Sequence, residues 1–452
     1  MTDVASPLPR TWSSQAGALA GLFATGMAML LVTGFALRFY QYADWNLFIA
    51  VLMLSGLLTV VATQISLRAP ATIGLAVVLG FGLALRLFVM SEDPLLSTDI
   101  YRYIWNGRVQ AAGINPYLHV PNDAALASLR DAAIFPNINR VDYAPTIYPP
   151  VAQFFFAAIT RIGESVTVVR LGLIGCEAVT IAVLIDLLRR FNKPVTLAAA
   201  YAWHPLPVWE IANSGHVDAL MVALVMVGVW FLVRHRKIAA GIMIALGALV
   251  KPYALVALPA CWRPWDWRVP LAVILAVAAC YVPYLGAGGR VFGFLSGYLG
   301  EEGLSSGSGF WLVHATRTLV GDVPGLLPAY LALAAATLAG LALRTAFRSE
   351  DSPEQRTRDI AVLLMAALFF VSPNYPWYFL VIVPFIPLGG GAPAWVLSLG
   401  AFMLYILLPD YDARFLIWKG VLSGAFLVAV IATVIARGPS SIRLQRVLPW
   451  NH

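Results

Sequence analysis

Five clusters of ionisable and hydrogen-bonding residues interrupt an otherwise apolar chain, and their types suit a proton transfer beside a departing anion. Asp99 opens the first, S-T-D-I-Y-R-Y-I-W-N-G-R-V-Q-A-A-G-I-N-P-Y (residues 97–117), with Arg102 and Tyr103 one turn on. The second, W-H-P-L-P-V-W-E-I-A-N-S-G-H-V-D-A-L, holds His204, Glu210, Asn213, His216 and Asp218. Lys251 stands alone in A-L-V-K-P-Y. Residues 287–317 add Arg290, Glu301, Glu302, His314 and Arg317, and S-P-N-Y-P-W-Y adds Asn374, Tyr375, Trp377 and Tyr378. A hydroxyl that attacks carbon must lose its proton, which calls for one carboxylate base. Asp99 is the candidate. A phosphate that leaves gathers charge, which cations or donors must hold. Lys251, Arg290, Arg317, His216 and His314 are the candidates there. No glycine-rich nucleotide loop stands out.

The elements that position these residues read as membrane helices. Of 452 residues, 60% are hydrophobic and 12% charged, about half the charge usual in a soluble domain; mean hydropathy is +0.78. A crossing takes about 20 apolar residues. Three such runs (15–37, 46–67, 71–90) precede the Asp99 segment. Further runs fall near 165–188, 195–211, 216–233, 238–250, 252–262, 269–286, 324–344, 359–372, 376–388, 393–408 and 415–436. The pattern predicts an all-α polytopic membrane protein of about 12–14 spans, forming a single domain over 1–452.

Basic clusters fix the orientation. Arg189/Arg190/Lys193, Arg234/Arg236/Lys237, Arg263/Arg268, Arg344/Arg348/Arg356/Arg358 and the tail Arg437/Arg443/Arg446 mark one side as cytoplasmic. Residues 91–150 then form a large first loop on the outer side, with six acids against four arginines. Within it 100–113 and 122–133 read as short interfacial helices, the first turning Ile100, Tyr103, Ile104 and Trp105 to the membrane. Residues 149–162 are too short to cross and read as re-entrant or interfacial. The Gly/Ser-rich stretch in 287–317 reads as a mobile loop on the same side. The net charge of +7 sits at span ends, which excludes a nucleic-acid partner. Cys176, Cys261 and Cys280 lie in apolar runs and read as inert buried thiols.

Each candidate also has a plainer reading. Asp99 could only cap the helix after it, and Arg102 could pair with Asp99 instead of binding phosphate. His216 and Asp218 could simply open a span. Glu210 is open between supporting a neighbour and acting beside Asp218. Lys251 could snorkel to the interface. Trp377 and Tyr378 suit an aromatic belt as well as a sugar. His119 and His204 read as interface residues. No tight ligand spacing supports a metal; no cofactor is called for, and a divalent ion is left open.

Asp99-Ile-Tyr-Arg-Tyr-Ile-Trp-Asn-Gly-Arg, followed by Gly113-Ile-Asn-Pro-Tyr117, Tyr148-Pro-Pro150 and Gly215-His-Val-Asp-Ala-Leu220, resembles the GT-C glycosyltransferases. The order is most similar to the bacterial polyprenol-phosphate-mannose-dependent mannosyltransferases and spans roughly 97–378. The resemblance implies a multi-pass enzyme of the bacterial cytoplasmic membrane, with its active site on the outer face. It implies inversion at the anomeric carbon and Asp99 as base. A hexose, expected to be mannose, would pass from polyprenyl phosphate to a glycan or glycolipid acceptor. Arg102, Tyr103, Glu210, His216, Asp218, Lys251, Arg290, His314, Arg317, Trp377 and Tyr378 would bind donor and acceptor. Many members of that superfamily place the loop after one span; here three precede it, which leaves the role of the first two open. The rivals are a flippase or transporter of lipid-linked sugars, and a polymerase or ligase with a diphosphate-linked donor.

Overall fold

The computed structural model describes residues 12–42, 44–349, 352–408 and 411–437. The expected basic tail residues Arg443 and Arg446 lie outside the described residues. Every regular element among the described residues is helical, as composition and periodicity led one to expect of a polytopic membrane protein. Eight of the helices described are long and apolar enough to cross a bilayer.

The first two form an antiparallel pair: α1 (Trp12–Gln41) and α2 (Trp45–Ser66), with Asp44 capping α2 by accepting the Leu47 N–H at 3.1 Å. α3 (Ala71–Val89) packs against α1 and delivers the chain to the Asp99 segment. α4 (Asp99–Ala111) and α5 (Pro150–Thr160) pack on each other beside α6 (Val166–Arg190). At 1.5 Å per residue α5 reaches only about 16 Å, short of a crossing.

Among the described residues the long apolar helices are fewer than the expected runs because the middle of the chain is broken. Residues 195–213 make a chain of short helical pieces interrupted by Pro205 and Pro207, and residues 198–219 are buried in protein. The helices Asp218–Val233 and Lys237–Ala248 are shorter still than a bilayer requires. A hydrophobic run cannot by itself distinguish a lipid-facing span from a helix sunk in the core. Pro376–Tyr405, by contrast, contains two of the expected runs. Left-handed backbone at Gly389 and Gly391 turns the chain back, so 401–405 packs against 376–385.

A second correction concerns α4. Ile100, Tyr103, Ile104 and Trp105 do not face lipid; each is at most 1% exposed and packs in the main core. Gly107 shows why α4 sits so deep. A methyl there would stand 2.5 Å from the Phe156 carbonyl oxygen of α5, so the two helices approach closely only with glycine at this point.

α3 and α6 are tied by a buried pair that hydropathy conceals. Arg86 donates to both Glu177 oxygens at 2.7 and 2.5 Å, and its remaining nitrogen reaches the Gly82 and Ala202 carbonyls. Removing one partner of a buried pair costs about 3–5 kcal/mol, whereas replacing both with apolar residues is often close to neutral. Glu177→Leu is therefore expected to lower the unfolding midpoint in detergent by far more than Arg86→Leu/Glu177→Leu does. Equal losses in the two variants would mean that packing, not charge pairing, joins these helices.

Candidate active site

The start of α4, the loop segment 139–148, Lys251, the segment with Tyr298, Glu301 and Glu302, and the segment with Tyr375 and Trp377 enclose a polar cleft of about 410 Å³. Asp99, at the first turn of α4, lines it. The capping reading fails on geometry: Ser97 Oγ accepts the Asp99 N–H at 3.1 Å, leaving the carboxylate to point elsewhere. Its Oδ1 accepts from Asn139 Nδ2 at 2.7 Å and its Oδ2 from the Tyr148 hydroxyl at 3.4 Å. Two neutral donors thus aim a carboxylate into an open cavity.

The motif residues around Asp99 build this arrangement in steps. Asn115 accepts the Tyr117 N–H at 3.1 Å, an Asx turn before Pro116. The buried Tyr117 hydroxyl then donates to the Tyr148 carbonyl at 2.7 Å. Gln153 Nε2 holds Thr146 Oγ1 at 2.7 Å and the same Tyr148 carbonyl at 3.3 Å. Tyr148 is fixed by these bonds, and its hydroxyl in turn reaches Asp99. Tyr103 stacks on Phe156 with centroids 4.6 Å apart and meets Tyr148 edge-on. Arg102 also lines the cleft, but its donors go chiefly to the Ala144 carbonyl at 2.7 Å and Asn106 at 3.4 Å, so it anchors the loop. Burial brings its guanidinium down to about 10, Tyr148 and Asp99 opposing and Arg140 assisting, so it stays charged at neutral pH.

Lys251 enters from the opposite wall. It occupies the break between Lys237–Ala248 and the tight turns of Pro252–Ala260, with its ammonium 3.4 Å from Asp218 Oδ2. It lies over the Tyr378 and Tyr148 rings at 5.3 and 5.8 Å from their centroids. Asp218 also accepts from the Tyr253 hydroxyl at 3.2 Å. Gly215, with φ of 75°, makes the turn that places His216 and Asp218; a side chain there would meet Ile100. His216 lies behind Trp377, ring centroids 4.2 Å apart, and 3.8 Å from Glu210. Glu210 is buried and accepts from the Tyr405 hydroxyl at 2.9 Å. Trp377 lines the cleft and stacks on Tyr375 at 4.3 Å. Tyr378 stands beside it, hydrogen-bonded to the Tyr298 hydroxyl.

Not every candidate gathers here. Arg317 donates to the Ser306 carbonyl at 2.8 Å and pairs with Asp322 at 3.3 Å. Arg290 is exposed. Neither lines the cleft or the cavities beside it. His314 lies one cavity away, and His204 and His119 are spent elsewhere: His204 caps the turn at Leu206 (3.1 Å), and His119 pairs with Asp123 (2.7 Å). Among the described residues no three His, Cys, Asp or Glu side chains gather as metal ligands.

Several cleft residues escaped the sequence reading. Asn139 and Arg140 sit in an unremarked loop, and Tyr148 drew notice only as part of Tyr-Pro-Pro. Arg140 pairs with Glu301 at 2.6 Å and so closes the cleft's rim. Lys419 was legible: it is one of four lysines and lies in an apolar run, the same signal that singled out Lys251.

The family model described as "Alpha-(1->6)-mannopyranosyltransferase, N-terminal domain" matches residues 13–265, more than half of the chain. The chain belongs to that family. The expected likeness to mannosyltransferases is borne out at this level, and the match contains Asp99, Tyr148, Glu210, His216, Asp218 and Lys251. Alpha-(1->6)-mannopyranosyltransferase A of Mycobacterium tuberculosis (strain ATCC 25618 / H37Rv) is 27% identical to it over 211 residues. That alignment covers 46% of this chain and 38% of the relative's own length. No solved structure matches.

Proposed function

We propose that the protein is an inverting mannosyltransferase that uses a polyprenyl-phosphate donor. The observation that carries this reading is the position of Lys251 on a wall shared by two unlike cavities. On one side lies the polar cleft with Asp99; on the other lies a largely apolar cavity of about 230 Å³ with Leu295, Leu299 and Leu304. A molecule ordered sugar, phosphate, lipid fits that sequence of environments. A further apolar cavity of about 320 Å³ continues past Tyr148 and Pro149 to Leu255 and Phe292, which are 45% and 61% exposed on the flank where lipid would lie.

In the reaction, the acceptor oxygen attacks the anomeric carbon as its proton passes to the Asp99 carboxylate. The new C–O bond forms while the bond from carbon to phosphate oxygen breaks, its electron pair leaving with polyprenyl phosphate. Lys251 holds that anion. Single displacement inverts the centre, so the α-(1→6) product of the family's name requires a β-linked phosphate donor. The relative is named for the same linkage.

The basic clusters support an extracytoplasmic cleft in the cytoplasmic membrane. Asp218 begins its helix at the cleft and Arg234 follows the far end; α6 likewise runs from the α4 side to Arg189 and Arg190. By the positive-inside rule that far side is cytoplasmic.

The test is purified protein in nanodiscs with polyprenyl-phosphate mannose and an octyl α-mannoside. Equal amounts of polyprenyl phosphate and an α-linked two-mannose glycoside are expected by mass spectrometry and NMR. Intact donor crossing a vesicle membrane without any glycoside would instead mark a flippase.

A further inference from the structure

Beyond Glu301, Glu302 and Tyr375, which it shares with the polar cleft, lies a separate cavity of about 160 Å³. Its walls pair aromatic faces (Trp311, Tyr375, Phe415) with hydrogen-bonding groups (Glu301, Asn374, His314). Sugars are recognised by that combination: C–H faces lie on rings while hydroxyls meet carboxylates, amides and imidazoles. It is smaller than the polar cleft and the two apolar cavities, a size that suits a compact polar ligand better than a polyprenyl chain.

The cavity is held in shape by its own bonds. Asn374 Nδ2 donates to Glu302 at 2.7 Å, and Lys419 Nζ donates to the Gly309 carbonyl at 2.7 Å. Lys419 is only 4% exposed on its helix (Tyr411–Arg437), an ionisable group of the kind that marks function at membrane depth. Among the described residues the buried Trp311 indole N–H has no hydrogen-bond partner. All these residues follow position 265, outside the segment matched by the family model.

We infer that this cavity is a second acceptor subsite, which takes the sugar ring next to the one being extended. The assignment rests on the proposed transfer reaction and sharpens it: the acceptor is an oligosaccharide of at least two rings. Asp99 then acts on the terminal ring in the cleft while Trp311 and His314 hold its neighbour.

The experiment compares octyl α-mannoside with octyl α-(1→6)-dimannoside as acceptors for wild type, Trp311→Ala, Trp311→Phe and His314→Ala. Wild type is expected to show a KM about tenfold lower for the two-ring acceptor, the scale of one aromatic contact. Trp311→Ala and His314→Ala should erase that preference and leave the one-ring KM unchanged; Trp311→Phe, which keeps a ring, should retain most of it. Equal KM values for both acceptors in wild type, or equal losses on both in the variants, would overturn the subsite. Calorimetric titration of the dimannoside without donor separates the two claims. Binding weakened by Trp311→Ala, with no transfer from polyprenyl-phosphate mannose, would keep the subsite and sink the reaction. Absent or unaltered binding would sink the subsite whatever the reaction does.

Discussion

Asp99→Asn should lower kcat by roughly a thousandfold, a barrier increase of about 4 kcal/mol, while the KM for donor stays within a fewfold of wild type. The substitution keeps the shape of the side chain and one acceptor oxygen. The Asn139 amide at 2.7 Å therefore retains its partner, and α4 keeps its start. What is lost is the ability to take a proton. The measurement is single-turnover transfer in nanodiscs, with thermal unfolding followed in parallel to show that the fold survives. Asp99→Gly, which opens space beside Asn139 and Tyr148, should regain activity with added formate or azide. A structural role for Asp99 would not respond to an external base, so unchanged turnover in Asp99→Asn would remove it from the mechanism.

The parts of this site that sequence disclosed are those where chemistry and membrane depth conflict. An acid at the mouth of an apolar chain, a solitary lysine and an Asp three residues after a glycine all stand out because lipid penalises them. Lys251 and Asp99 line one cleft, and Asp218 is buried behind Lys251, 3.4 Å from its ammonium. The arginines of 287–317 illustrate the limit of that logic. Charge and side of the membrane made Arg290 and Arg317 equivalent to Lys251, but both sit in the last turns of short helices that point them away from the cleft, and Arg317 finds its partner in Asp322. Asn139 is the opposite case. A neutral amide in a polar loop carries no penalty to notice, yet it makes the shortest bond to the Asp99 carboxylate among those described. The run 195–211, expected as one continuous span, is instead broken and buried in protein, for a related reason. Its hydropathy is that of a lipid-facing helix; only packing on all sides distinguishes it. The cavity beside the cleft depends on Tyr375, Trp311 and Lys419 being brought together from three separate elements, a placement that spacing in the chain does not contain.

Lys251→Gln should reduce kcat by about a hundredfold, as loss of one charged donor to a developing anion does. The obvious objection is that this substitution also strips Asp218 of the ammonium 3.4 Å away, leaving a buried carboxylate with the Tyr253 hydroxyl alone. Instability would then mimic a catalytic defect. Asp218→Asn in the same chain separates the two causes, since a neutral pair of amides removes the stranded charge. If Lys251 serves only to balance Asp218, the double variant should recover both its unfolding midpoint and its turnover. If the ammonium holds the departing phosphate, the midpoint should recover while turnover stays about a hundredfold down. Lys251→Arg completes the argument. Its charge survives, but its larger planar fork must fit between the Tyr148 and Tyr378 rings, where a compact ammonium now lies. Partial activity with a raised donor KM is expected there, measured against polyprenyl-phosphate mannose at saturating acceptor.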